Sequence, residues 1–193
     1  RPGVRARCAG SAPVPAGVEH TTCSGASVCN GASACLLKQG QACTAGTQCL
    51  SGFCADGYCC NAACGGSCDT CAVVKGASAN GTCTLLASGA AGEPSCAPSV
   101  CSGTSATCPG GCTKDADCSS TSYCSALGKC VAKKVLGNAC NAGTDCAGGA
   151  CAMCASGSCA DGVCCDAKCD GLCQACSKAR KGTTVDDGKC GYA

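Results

Sequence analysis

Cysteine decides what this chain can fold into. It occupies 31 of the 193 positions, about twice the density that marks a disulfide scaffold. The residues that normally build a core are scarce: eleven Val, eight Leu, one Phe and no Ile. Chains with less than about 20% of such residues do not bury enough apolar surface to offset the entropy of ordering the backbone. The hydrophobic fraction of 46% is carried mainly by Ala and Cys, so covalent cross-links, at about 2–4 kcal/mol each in good geometry, are the expected substitute for a core. Such bonds persist only in oxidising compartments, which predicts a secreted, extracellular or cell-surface protein.

Charge and hydropathy exclude several function classes. The net charge is +2 and charged residues make up 13% of the chain, which leaves no electrostatic footprint for nucleic acid. No run approaches the eighteen or so apolar residues of a membrane span. Arg1, Arg5 and Arg7 form a small basic start, read with Lys133-Lys134 as solvated charge. An opening Arg1-Pro2 rather than Met, without a signal peptide, suggests a mature or trimmed product.

The cysteines are organised by an internal repeat. Cys43, Cys49, Cys54, Cys59, Cys60, Cys64, Cys68, Cys71 and Cys83 match Cys140, Cys146, Cys159, Cys164, Cys165, Cys169, Cys173, Cys176 and Cys190 in order. Upstream, Cys23, Cys29 and Cys35 parallel Cys118, Cys124 and Cys130 at the same five-residue intervals. The second copy carries an eight-residue insertion, read as Ala147–Cys154 with its own pair, Cys151 and Cys154. The resulting division is 1–22, the end of a preceding repeat or linker; 23–83, a twelve-cysteine unit; 84–117, a cysteine-containing connector; and 118–193, a second twelve-cysteine unit with the inserted pair. Twelve is even and compatible with six internal bridges per unit, but spacing alone does not fix connectivity. Cys8, Cys96, Cys101, Cys108 and Cys112 remain as connecting residues. Ala87–Cys108 partly echoes Ala16–Cys35, which gives Cys8 the place of Cys83 or Cys190 and suggests a slice of a longer array.

The expected fold class is small and disulfide-rich: elongated tandem repeats with short β-hairpins, little helix and mostly irregular structure. Asp56-Gly57 and Asp161-Gly162 predict tight hairpin turns, because Gly takes positive φ without a steric cost. Thr82–Leu86 and Lys129–Val135 read as short strands. The spacing Cys60-x3-Cys64-x3-Cys68-x2-Cys71 would line one face of a three-turn helix. Gly65-Gly66 weakens that in the first copy, and Asp166–Cys176 is the better helix candidate.

The segments Cys-Thr-Lys-Asp-Ala-Asp-Cys (112–118), Tyr123-Cys124, Gly137-x-x-Cys140 and Cys-Ala-Asp-Gly-Val-Cys-Cys-Asp (159–166), with Cys169, Gly171, Cys173, Gln174, Ala175 and Cys176, resemble the tandem cysteine-rich modules of large secreted and surface-anchored proteins from myxobacteria and related delta-proteobacteria. The resemblance covers Cys23 to Cys190, more weakly in the middle. It implies export, a disulfide framework and a surface or matrix role, with no catalytic residues to carry over.

Chemistry finds little to work with, and the chain is read as not an enzyme, without cofactor or metal. A hydrolytic triad needs a base, usually His, and the one histidine, His20, lies in a Pro/Gly-rich approach to Cys23. Asp115 with Asp117, and Asp186 with Asp187, read as turn and cap residues, with calcium at Asp115/Asp117 as the weaker alternative. Cys68-x-x-Cys71, Cys151-x-x-Cys154 and Cys173-x-x-Cys176 have redox spacing but no βαβ scaffold around them. A metal-thiolate protein is the minor alternative; it lacks any Cys-x-Cys pair, and a structural zinc site would draw on Cys59 and Cys60. The preferred function is a non-catalytic extracellular structural protein, a disulfide-stapled repeat rod that self-assembles with copies of itself into a filament, sheath or matrix. An odd cysteine favours this, since a spare thiol cross-links chains. The alternative is a secreted display module of the protease-inhibitor or adhesin kind, binding an extracellular protein or glycan through the loops Ala72–Thr82 and Ser177–Lys189, with Lys75 or Arg180 protruding.

Overall fold

The computed structural model describes Cys8 and residues 14–143, 146, 150–182 and 186–193; Arg1, Arg5 and Arg7 lie outside them. Among the described residues, twelve short strands pair into six separate antiparallel hairpins. These are β1 (Ser27–Cys29) with β2 (Cys35–Leu37), β3 (Phe53–Ala55) with β4 (Tyr58–Cys60), and β5 (Asp69–Thr70) with β6 (Thr84–Leu85). The second series is β7 (Ser122–Cys124) with β8 (Cys130–Ala132), β9 (Cys159–Ala160) with β10 (Val163–Cys164), and β11 (Gln174–Ala175) with β12 (Gly191–Tyr192). Among the described residues the one α-helix is α1 (Lys178–Lys181), and 3-10 turns lie at Gly46–Gln48, Val73–Lys75 and Asp115–Asp117. The chain divides into two compact units, Arg1–Ser95 with Cys101–Cys108, and Cys96–Val100 with Pro109–Ala193. Each unit holds one series of three hairpins.

Strands this short have no packing of their own to stabilise them, and a lone two-stranded hairpin is marginal in water. Disulfides replace the packing, by one rule. In the first unit the bridges are Cys8–Cys29 with Cys23–Cys35, Cys43–Cys54 with Cys49–Cys59, and Cys60–Cys71 with Cys64–Cys83; Cys68–Cys101 is added to the last set. In the second they are Cys112–Cys124 with Cys118–Cys130, Cys140–Cys159 with Cys154–Cys164, and Cys165–Cys176 with Cys169–Cys190; Cys146–Cys151 is extra. Each set of four joins its first cysteine to its third and its second to its fourth, so the two loops interlock. Cys96 and Cys108 are also disulfide-bonded.

The hairpin register explains the rule. Cys29 faces Cys35, Cys54 faces Cys59, Cys124 faces Cys130 and Cys159 faces Cys164 across their ladders. No facing pair is bonded to itself. Both members reach back to the preceding loop and staple the hairpin onto it.

The interior is made of these bridges. Among the described residues the buried apolar side chains are cysteines apart from Val28, Ala72, Ala77, Val100, Met153 and Ala175. The larger aliphatics are outside instead, with Val74 88%, Leu127 89% and Leu172 97% exposed. The fold class is therefore small and disulfide-rich, with short hairpins, almost no helix and mostly irregular backbone.

Both Asp-Gly turns form as expected: Asp56 and Asp161 take φ of +52° and +51°, followed by Gly57 and Gly162 at +81°, the left-handed pair that a two-residue hairpin turn needs. Strands also form within Thr82–Leu86 (β6) and Lys129–Val135 (β8). Other expectations are corrected. No helix runs through Cys60–Cys71 or Asp166–Cys176. Cys64, Cys68, Cys169 and Cys176 bond to Cys83, Cys101, Cys190 and Cys165 rather than lining one face, and Cys169 and Cys173 sit at φ of +54° and +62°, outside the right-handed helical region. Six closed bridges per twelve-cysteine unit do not form either, because Cys29, Cys68 and Cys124 bond to Cys8, Cys101 and Cys112 in the flanking segments.

The inserted pair is also different. Cys154, not Cys146, is the counterpart of Cys49, since Cys154–Cys164 repeats Cys49–Cys59. The backbone agrees: the amide of Leu50 donates to the Leu37 carbonyl at 3.0 Å, and that of Ala155 to the Lys134 carbonyl at 2.8 Å. The added cysteines are thus Cys146 and Cys151, bonded to each other; part of the insertion, residues 147–149, lies outside the described residues.

Candidate functional site

The third hairpin of each series, with the loop it carries, is where the two copies can be compared most closely. Its base is an aspartate from the preceding turn. Positive φ aims the Asp56 side chain back over the chain, where Oδ2 accepts from the Thr70 hydroxyl at 2.8 Å and the Cys71 amide at 2.7 Å. In the second copy Asp161 Oδ2 accepts from the amides of Cys176 at 2.7 Å and Ser177 at 3.3 Å. Burial raises the Asp56 carboxyl's affinity for a proton, but the Cys71 amide, Lys75 and Thr70 together hold its pKa below the ordinary value. The Cys176 amide does the same for Asp161 against partial burial, helped by Ser177, Arg180 and Lys181. A second anchor lies one residue past the double cysteine. Asn61 Oδ1 accepts from the Cys83 amide and Asp166 Oδ1 from the Cys190 amide, both at 2.8 Å, and the Cys190 contact lowers the Asp166 pKa.

On these matched bases sit unlike loops. In Ala72–Thr82, Asn80 Oδ1 accepts from the Val73 amide at 2.8 Å. Lys75 is exposed, with its ammonium 2.9 Å from Asp56 and 3.0 Å from Glu93. It borders a cleft of about 450 Å³ that Asp56, Thr70, Val74, Leu86 and Glu93 also line. In Ser177–Lys189 the helix α1 ends at Gly182, in left-handed conformation. Lys181, only 5% exposed, donates to the carbonyls of Asp186 at 3.1 Å and Lys189 at 2.6 Å. Arg180 stays largely exposed, 3.1 Å from Asp161. Residues 183–185 of this loop lie outside the described residues. Lys181 is the organising residue that sequence reasoning missed. Its signal is faint, a Lys-Ala-Arg-Lys run closed by Gly182.

The remaining candidates fall into structural places. Asp117 Oδ2 accepts from the Thr113 amide and hydroxyl and the Lys114 amide, while Asp115 Oδ1 accepts from the Cys124 amide. The Thr113 contacts lower the Asp117 pKa. The pair therefore caps a turn, just as Gln48 Oε1 accepts from the amides of Thr44 and Ala45 inside Cys43-x5-Cys49. Asp187 Oδ1 accepts from the Lys178 amide. His20 Nδ1 lies 2.9 Å from the Thr22 hydroxyl within its own exposed turn. In none of the three Cys-x-x-Cys pairs are the two cysteines bonded to each other: Cys68 and Cys71 bond to Cys101 and Cys60, Cys151 and Cys154 to Cys146 and Cys164, and Cys176 to Cys165. Clusters of three sulfurs such as Cys43, Cys49 and Cys54 arise where two interlocked bridges adjoin, and a bridged sulfur is no longer a thiolate ligand.

Cys173, expected within the framework, is instead the one free cysteine, and it is exposed. Its counterpart, Cys68, is fully buried and bonded to Cys101.

Among the described residues no helix is long and apolar enough to cross a membrane. The density of bridges fits a protein of an oxidising or extracellular compartment. Comparison with protein-family models, with curated proteins and with solved structures returns no match in any of the three.

Proposed function

We propose that this is a secreted, non-catalytic structural repeat protein, a building block that associates with copies of itself in an extracellular filament, sheath or matrix. One observation carries the reading: the buried interior consists almost wholly of bridged cysteines, so stability comes from covalent bonds that a protease or a change of solvent does not remove. Low charge does not oppose self-association, and aliphatic side chains such as Val74, Leu127 and Leu172 stand outside, free to pack against a neighbour. The tandem modules of myxobacterial surface proteins, which the chain resembles, would supply the same role. Negative-stain microscopy of native material tests it. Ordered fibres or sheets are the expected result, and dispersed monomers under native conditions would overturn it.

A display role has one specific observation in its favour. Asp56 and Asp161 hold the same point of two loops that differ in length and content, as a scaffold for variable contacts would. A saturable complex with an extracellular protein or glycan, lost in Arg180→Ala, would establish it.

A further inference from the structure

The two copies of the third hairpin differ in one covalent respect, and the difference locates a joint. In the first copy β6 leads into residues 87–108, of which Glu93, Cys101 and Ala106 fold back onto Ser67 and Cys68. Cys101 bonds to Cys68, the Cys68 amide donates to the Ala106 carbonyl at 2.8 Å, and the Glu93 amide donates to the Ser67 carbonyl at 2.7 Å. Gly66 makes the approach possible, since a Cβ there would lie 2.1 Å from the Ala106 carbonyl oxygen.

The second copy presents the same receiving surface. Gly171, Leu172 and Cys173 take the places of Gly66, Ser67 and Cys68. The hairpins end alike: the Leu86 amide donates to the Cys68 carbonyl and the Ala193 amide to the Cys173 carbonyl, both at 2.9 Å. Glycine is kept at 171 although a Cβ there would meet no backbone, only the Gln174 side chain, whose Oε1 accepts from the Gly171 amide at 3.1 Å. Leu172 is 97% exposed and Cys173 carries a free, exposed thiol. A surface shaped for a covering strand, with a small residue at the contact point and an unmade bond at its centre, is what the first copy would show without residues 87–108.

We infer that Cys173 is the docking cysteine for a connector of the 87–108 type from another repeat, and that the resulting disulfide joins the two repeats. The inference rests on the structural reading above and names the bond that propagates it. Copies of residues 1–193 offer no free cysteine of the connector type, because the thirty cysteines other than Cys173 are already bonded and two copies could join only through Cys173 itself. The oxidant is a disulfide-class donor, such as an oxidised dithiol oxidoreductase or a small-molecule disulfide. The Cys173 thiolate attacks its S–S bond and expels one thiolate. The connector's thiolate then attacks Cys173 Sγ, forms the new bond and expels the second thiolate. Two protein thiols are oxidised and one donor disulfide is reduced to two thiols.

Disulfide mapping of protein from its native source, blocked with maleimide under acid before digestion, tests this. The expected product is a peptide in which Cys173 is joined to a cysteine outside the thirty. A maleimide on Cys173, or a Cys173–Cys173 link between chains, would overturn it. A second measurement uses the full chain extended past Ala193 by its own residues 87–108. Oxidative refolding should bond Cys173 to the cysteine corresponding to Cys101, and Gly171→Val should cut that product about tenfold by overpacking the contact while Cys165–Cys176 still forms. Linkage to another position, or no effect of Gly171→Val, would count against the joint. Ordered fibres with a free Cys173 would remove the joint and leave the structural role standing; a joined Cys173 in dispersed monomers would do the reverse.

Discussion

Cys59 and Cys60 are adjacent in sequence and point in opposite directions of the bonding scheme: Cys59 is bonded back to Cys49, and Cys60 forward to Cys71. Both end strand β4, where successive side chains leave on opposite faces, and both are completely buried. Cys164 and Cys165 do the same, to Cys154 and Cys176. The double cysteine is thus the hinge pin between one four-cysteine module and the next.

Reduction should unfold the chain outright. Among the described residues only six buried apolar side chains other than cysteine remain to hold it, against bridges that contribute about 2–4 kcal/mol each. Dispersed amide resonances in the oxidised protein should collapse to the random-coil range in excess dithiothreitol. A reduced chain that kept its dispersion would contradict the account of the interior.

Residues 1–193 on their own should carry one reactive thiol. Alkylation without reductant should add a single label at Cys173, and Cys173→Ser should abolish the label without moving Tm. Cys176→Ser breaks a buried bridge and should cost about 2–5 kcal/mol. Equal melting of the two variants would refute the assignment.

Acid should weaken the protein through its aspartates. Asp56, Asp117, Asp161 and Asp166 all have pKa values lowered by folding. A lowered carboxylate stabilises the fold above its unfolded value, about 3.9 for Asp, and that contribution is lost as pH falls through the folded value. Denaturant midpoints with disulfides intact should therefore be level from about pH 5 to 7 and drop below about pH 4. Asp161→Asn should lower the plateau and flatten the drop; an unchanged pH profile would show that the Cys176 contact carries no weight.

Lys181→Met keeps the length of the side chain and removes its charge and donors. It leaves the Asp186 and Lys189 carbonyls without the ammonium that now serves both. The expected cost is about 1–3 kcal/mol, seen as faster proteolytic nicking within Ser177–Lys189. Lys178→Met, on the exposed side of α1, should be neutral in the same assay.

Gly66→Ala and Gly171→Ala should separate cleanly in residues 1–193. The first places a methyl 2.1 Å from the Ala106 carbonyl oxygen and the second meets only the Gln174 side chain. The first should lower the yield of Cys68–Cys101 on refolding, and the second should leave every mapped bridge intact.

The fold class, the Asp-Gly turns and the strand segments were legible because each rests on local chemistry: cysteine density, Gly at positive φ, β-branched and apolar residues beside turns. The bonding scheme was not. Spacing in Cys60-x3-Cys64-x3-Cys68-x2-Cys71 suits a helix as well as a loop, and only the tertiary pairing of Cys60 with Cys71 and Cys64 with Cys83 decides against the helix. The insertion was misplaced for a related reason. Cys146 aligns with Cys49 from the left and Cys154 from the right, and the Lys134–Ala155 backbone contact, invisible in sequence, selects the second. Cys173 was hidden because every cysteine of the repeat looks alike until its partner, or the lack of one, is seen.

Interlocked loops also determine how such a chain behaves under tension. Pulled between Cys43 and Cys59, an unbridged segment would lengthen to about 56 Å. With Cys43 tied to Cys54 at a Cα separation of 6.1 Å, the load crosses the bridge and then the short run to Cys59, and the segment becomes taut at about 24 Å. Force is carried by sulfur rather than by hairpin hydrogen bonds, so each module should behave as a nearly inextensible link until a covalent bond breaks.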